Sequence, residues 1–190
     1  MTEIHTKVYE TKSQKAAKYD LICGLYSMIL PRRAEDMSLL ILGDDLKTNC
    51  IILDDSGKIP QKIVFRIYKK SSIRGDVMTD IPPDLAKLIN VYIEQFNIKM
   101  FDRLFLISPK AFSNLVSTAF KKKYNINITI NTIRHYRATE INNNNYNIYE
   151  RTKLARSMGH SFLMNIQYSR VIRRQPPHMV GSGLPHPDEA

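Results

Sequence analysis

Residues 131–140 read NTIRHYRATE and residues 158–170 read MGHSFLMNIQYSR. The first lies in a stretch of helical pattern from about Thr132 to Ile141. A second helix is expected over Tyr149 to Met158 and is ended by Gly159, since glycine accepts the left-handed conformation that closes helices. A third, shorter helix runs from Phe162 to about Ile172. The Asn-rich residues 142–145 form the loop between the first two. Arg134 thus falls within the first of these helices, His160 just after the glycine that ends the second, and Tyr168 within the third.

Upstream, the pattern alternates between helix and strand. Ser13 to about Met28 is helical, with Ala16, Ala17, Leu21, Leu25 and Met28 near one face. Pro31 interrupts, and Arg33 to about Leu42 forms a second helical stretch that Gly43-Asp44-Asp45 breaks. Asn49 to Leu53 reads as a strand ending in the turn Asp54-Asp55-Ser56-Gly57. Lys62 to Tyr68 alternates, with Ile63, Phe65 and Ile67 expected on one side, and Val77 to Ile81 pairs back after the loop KKSSIRGD. Pro82-Pro83-Asp84 opens a helix with Leu85, Leu88, Ile89, Tyr92, Ile93 and Phe96 at core spacing. Ser108 caps a helix with Pro109 in its first turn; Phe112, Leu115, Val116 and Phe120 follow, then Lys121-Lys122-Lys123. The expected architecture is α+β: mostly helical with a small, three-stranded antiparallel sheet in the N-terminal third.

A chain of 190 residues with 43% hydrophobic and 24% charged residues can build its own core without disulfides or metal. No apolar run approaches the roughly 18 residues of a membrane span, and the N-terminus lacks the apolar core of a signal peptide. Cys23 and Cys50 each sit in apolar surroundings and read as reduced core residues of an intracellular protein. Twenty-eight Lys and Arg against 18 Asp and Glu leave a net charge of +10, a surface that attracts polyanions. Phosphate-cradling glycine loops, the H-E-x-x-H zinc motif and the G-x-S-x-G elbow are all missing, and the five histidines have no zinc spacing. The expectation is therefore neither metal nor cofactor.

What remains is chemistry by cations and a tyrosine. Arginines grip phosphate with a planar fork of donors, histidine adds a donor or a proton relay, lysine can protonate a leaving oxygen, and tyrosine can attack phosphorus. A dense cationic site would favour the phenolate, whose ordinary pKa is about 10.

On these segments the chain resembles the tyrosine recombinases, the phage-integrase type of site-specific recombinase, over residues 13–174. NTIRHYRATE is similar to the family's H-x-x-R-H motif, which makes Arg134 its second arginine. MGHS is similar to L-G-H-S, which gives His160 the third-box role, and Tyr168 follows at nucleophile spacing. LPRRAEDMSLL resembles the first arginine box, with Arg33 and Asp36 the better fit because Met37 and Leu40 then face the core, and Arg32 with Glu35 the alternate. IYKKSSIRG resembles the hairpin of the catalytic lysine: Lys69, or Lys70 as alternate. Asn131 departs from the family, which usually has His or Lys there; Asn can donate to phosphate but cannot relay a proton.

The resemblance implies metal-free cleavage and rejoining of double-stranded DNA through a 3′-phosphotyrosine. Arg33, Arg134 and His160 would hold the scissile phosphate, with Lys69 the general acid. Lys121, Lys122, Lys123 and Arg137 are added as DNA contacts. It further implies a homotetramer on DNA, in whichever compartment holds the target. Residues 1–12 are expected to be a polar arm and 175–190 a flexible tail, without the family's N-terminal core-binding domain. Two other functions stay open: a type IB topoisomerase-like enzyme, and an inactive DNA-binding module.

Overall fold

The computed structural model describes residues 10–69 and 71–168. Among them are eight helices and a four-stranded sheet: α1 (Lys12–Ser27), α2 (Ala34–Ser38), β1 (Ile41–Leu42), β2 (Cys50–Leu53), β3 (Pro60–Phe65), α3 (Ser71–Arg74), β4 (Val77–Asp80), α4 (Pro83–Phe96), α5 (Pro109–Tyr124), α6 (Ile130–Asn143), α7 (Ile148–Ser157) and α8 (Phe162–Tyr168). The mixed α and β class is as expected. The expected arm falls mostly outside the described residues, and the end of the last helix, the tail and Lys70 fall wholly outside them.

α1 starts at a capping box: the Thr11 hydroxyl accepts from the Gln14 N–H and the Gln14 side chain accepts from the Thr11 N–H. Its middle, Leu21 to Tyr26, is buried almost all round because α4 and α5 both pack on it. Ala16 and Met28, expected on the core face, are exposed at the two ends. The single-stripe reading fails there because a central helix has two packed sides. Phe105 joins α4 to α5 by ring contacts with Tyr92 at 5.5 Å and Phe112 at 5.0 Å. Cys23 and Cys50 are buried and unbridged. No helix among the described residues is long and apolar enough to cross a membrane.

The sheet differs from expectation. It has four strands in the order β1-β2-β3-β4; β1 runs parallel to β2, and the other pairs are antiparallel. Residues 41–42 are a strand and α2 stops at Ser38. The reason is long-range: the Leu42 N–H donates to the Asp102 carbonyl at 3.0 Å, and the Leu40 carbonyl accepts from the Leu104 N–H at 2.8 Å. Backbone groups of residues 40–42 thus find partners some sixty positions away that helical periodicity does not register. Ile67 also lies beyond the end of β3 and is exposed, whereas Val64 is buried on the second face with Ile41 and Cys50.

Candidate active site

Two clefts adjoin at Arg33. One, of about 550 Å³, has Arg33, Lys110, Asn131 and Arg134 in its wall. The other, of about 510 Å³, is bounded by Arg33, Asp36, Tyr68 and Lys69. A larger cavity of about 690 Å³ lies on another face of α5 and is mainly apolar; it brings together no comparable set of cations. Four of the residues singled out in the sequence therefore lie in these two neighbouring clefts: Arg33, Asn131 and Arg134 in the first, and Arg33 with Lys69 in the second.

Local capping aims helix ends at it. Ser108 accepts from the Ala111 N–H to start α5, and Thr129 accepts from the Thr132 N–H to start α6. Both N-termini border the Arg33–Arg134 cleft, which adds partial positive charge to that of the side chains. Lys110 belongs to this wall and escaped the sequence reading, since it lies in no recognisable spacing with the other cations.

α7 explains the placement of His160. It ends in a Schellman turn: the Gly159 N–H donates to the Arg156 carbonyl at 2.8 Å and the His160 N–H to the Ala155 carbonyl at 2.9 Å. Gly159 has φ +73°, a conformation that other residues adopt only with strain, and a Cβ there would press on Arg32 Nη1 at 3.3 Å, so the position favours glycine. The terminal carbonyls of α7 are taken by two arginines. Arg32 Nη1 donates to Ser157 O at 3.1 Å and Arg134 Nη2 to Met158 O at 3.2 Å.

Arg134 is 1% exposed and also contacts His160 Nε2. A guanidinium only donates, so this nitrogen presents its lone pair to Arg134. Burial, then the charge of Arg134, push the imidazole down to about 3, against an opposing contact from Asn165. His160 is thus neutral at physiological pH and is reached from the cleft through Arg134. The unfolded ring, with a value of 6.5, takes a proton that the folded ring refuses until about pH 3. Stability is therefore lost as pH falls through that window, by up to ~1.4 kcal/mol per unit. Wild type is expected to lose about 2 kcal/mol more than His160→Gln between pH 7 and 5 in urea unfolding. Equal losses would contradict this burial.

The two neighbouring arginines separate clearly. Arg33 caps α2 and is partly open to both clefts. Arg32 is 0% exposed and lines neither. It pairs with Asp36 at 3.0 Å, and its guanidinium lies 4.3 Å from the Phe65 ring and 4.7 Å from that of Tyr68. Burial raises the Asp36 carboxyl and lowers the Arg32 guanidinium, each opposed first by the other's charge.

The remaining residues lie apart. Lys121, Lys122 and Lys123 are exposed at the far end of α5, and Lys123 pairs with Asp20. At about 1.5 Å per residue, Lys121 stands some 16 Å along the axis from Lys110. Arg137 is held by Glu140 at 2.7 Å and by the Ser27 carbonyl at 2.8 Å, and lines neither cleft. Tyr168 closes α8 as its last backbone position; its side chain lies outside the described part of the structure.

No protein-family profile matches this chain, and no curated protein does. Among solved structures, the crystal structure of XerA recombinase matches with a TM-score of 0.53 and 16% sequence identity. The match covers 90% of this chain and 61% of the XerA chain, so this chain spans less than two thirds of that protein's length. At this identity the likeness is one of fold: the chain has a recombinase-like fold.

Proposed function

We propose that residues 13–174 form the catalytic domain of a tyrosine recombinase that cuts and rejoins duplex DNA without metal or cofactor. The observation that carries this reading is the meeting of Arg33, Asn131 and Arg134 at two helix N-termini, with Lys69 in the adjoining cleft. On a recombinase-like fold, such a site suits the spread negative charge of a phosphoryl-transfer transition state.

In this mechanism Arg33 and Arg134 hold the non-bridging oxygens of the scissile phosphate. Asn131 donates a further hydrogen bond, and Lys110 adds charge at the rim. His160 orients Arg134 from behind. The Tyr168 hydroxyl releases its proton to solvent and its oxygen attacks phosphorus. The bond to the 5′ oxygen breaks, and Lys69 protonates that oxygen as it leaves. A 3′-phosphotyrosine keeps the bond energy, so a 5′-hydroxyl from another strand can reverse the step. Strand exchange requires two pairs of protomers on two DNA sites. Lys121 to Lys123 lie outside the cleft and suit phosphates further along the duplex.

The test is a nicked duplex pool that traps cleaved product. The expected result is a protein–DNA adduct that mass spectrometry maps to Tyr168 and that Tyr168→Phe abolishes. An adduct on another residue would overturn the nucleophile. Salt-sensitive binding without any adduct would favour the non-catalytic module, which the lack of a proton relay at Asn131 also suits. Relaxation of supercoils without strand exchange would indicate a topoisomerase.

A further inference from the structure

Asn49 is 0% exposed, and each polar atom of its side chain is used twice. Its Nδ2 donates to the Asp36 carbonyl at 2.9 Å and to the Ile67 carbonyl at 2.9 Å. Its Oδ1 accepts from the Arg66 N–H at 2.8 Å and from the Ile67 N–H at 2.7 Å. An amide has two donors and an acceptor oxygen with two lone pairs, so this carboxamide is saturated.

The partners join two parts of the site. Asp36 lies in α2, whose cap is Arg33. Arg66 and Ile67 lead directly from β3 into Tyr68 and Lys69. β3 has already ended there, and sheet pairing of β3 with β4 stops at Phe65 and Val77. Asn49 thus replaces a strand partner for the backbone just before the lysine. Lys69 and Arg33 line the same cleft.

We propose that Asn49 is a positioning residue that sets the Lys69 arm against the Arg33 helix, so that the lysine meets the oxygen leaving phosphorus. This rests on the recombinase reading. Asn49 touches no substrate and acts only through where Lys69 sits. A substitution there should therefore harm the protonation of the leaving group and spare the attack on phosphorus.

The experiment compares two nicked substrates with the full chain. One has the ordinary 5′ oxygen at the scissile bond. The other has sulfur at that position, which departs as a thiolate and needs no proton from an acid. Asn49→Ser and Asn49→Asp are assayed beside wild type and Lys69→Ala, with folding monitored by circular dichroism. The expected result is a loss of at least about ten-fold in adduct formation on the oxygen substrate, and recovery to near the wild-type rate on the sulfur substrate, following Lys69→Ala. An equal loss on both substrates, or no loss on either, overturns the positioning role. If only one variant folds, that variant decides. If neither folds, Asn49 is a structural clamp and the proposal fails. Wild type that cleaves neither substrate would instead refute the recombinase reading itself, which separates the two failures.

Discussion

Arg134→Lys is expected to lower the rate of covalent adduct formation by about 10²–10³-fold, the loss seen when one positioned donor to a developing charge is removed. The argument starts from what the guanidinium does. It donates to Met158 O at 3.2 Å and contacts His160 while it borders the cleft. Only a planar fork of donors serves several directions together; an ammonium on a flexible stem serves as a point charge. Lysine keeps the charge, so non-specific DNA affinity should change by no more than a few-fold, because that affinity follows total charge. The check is adduct formation under single turnover, beside a binding isotherm at matched salt. A variant that keeps more than about a tenth of the wild-type rate would remove Arg134 from the phosphate-holding role.

Arg32→Met is expected to act on stability. The change leaves Asp36, 3% exposed, without its partner at 3.0 Å, and strips the cation from between Phe65 and Tyr68. Breaking a buried pair from one side costs about 3–5 kcal/mol, because an uncompensated charge stays inside. At about 2–4 °C per kcal/mol for a chain of this size, the midpoint of thermal unfolding should drop by roughly 10 °C. Arg32→Met with Asp36→Leu should recover most of the loss, since the stranded carboxylate is gone. Arg33→Ala, at a partly open position, should shift the midpoint by no more than a few degrees. Similar small shifts for both arginines would contradict the division of labour between them.

That division marks a boundary of what the chain discloses before it is folded. LPRRAEDMSLL offers two arginines with acids three residues on, and helical pattern favours Arg33 with Asp36. What separates them physically is Arg32's enclosure by Phe65, Tyr68 and Ser157, residues from β3, the lysine arm and the end of α7. Likewise, the helices α4 and α5 were legible from proline in the first turn and apolar spacing, because those signals are local. β1 was not legible: its backbone is satisfied by Asp102 and by its parallel neighbour β2.

The site divides in the same way. Arg134, His160 and Tyr168 stand out because NTIRHYRATE and MGHS resemble recombinase motifs, which are written in adjacent residues. Lys110 and Asn49 do not. Lys110 joins the cleft because α5 begins beside α6, and Asn49 ties the Asp36 carbonyl to the backbone of Arg66 and Ile67 just past the end of β3. By itself, then, the sequence determined the longer helices, the charge and the order of the candidate groups, all of which depend on short-range pattern; it missed the short α3, read as a loop, and carried α2 past its end at Ser38. The tertiary structure decided which arginine faces the cleft, which nitrogen of His160 meets Arg134, and which backbone groups Asn49 ties together. Those outcomes depend on contacts between residues far apart in the chain, whose distances no periodicity encodes.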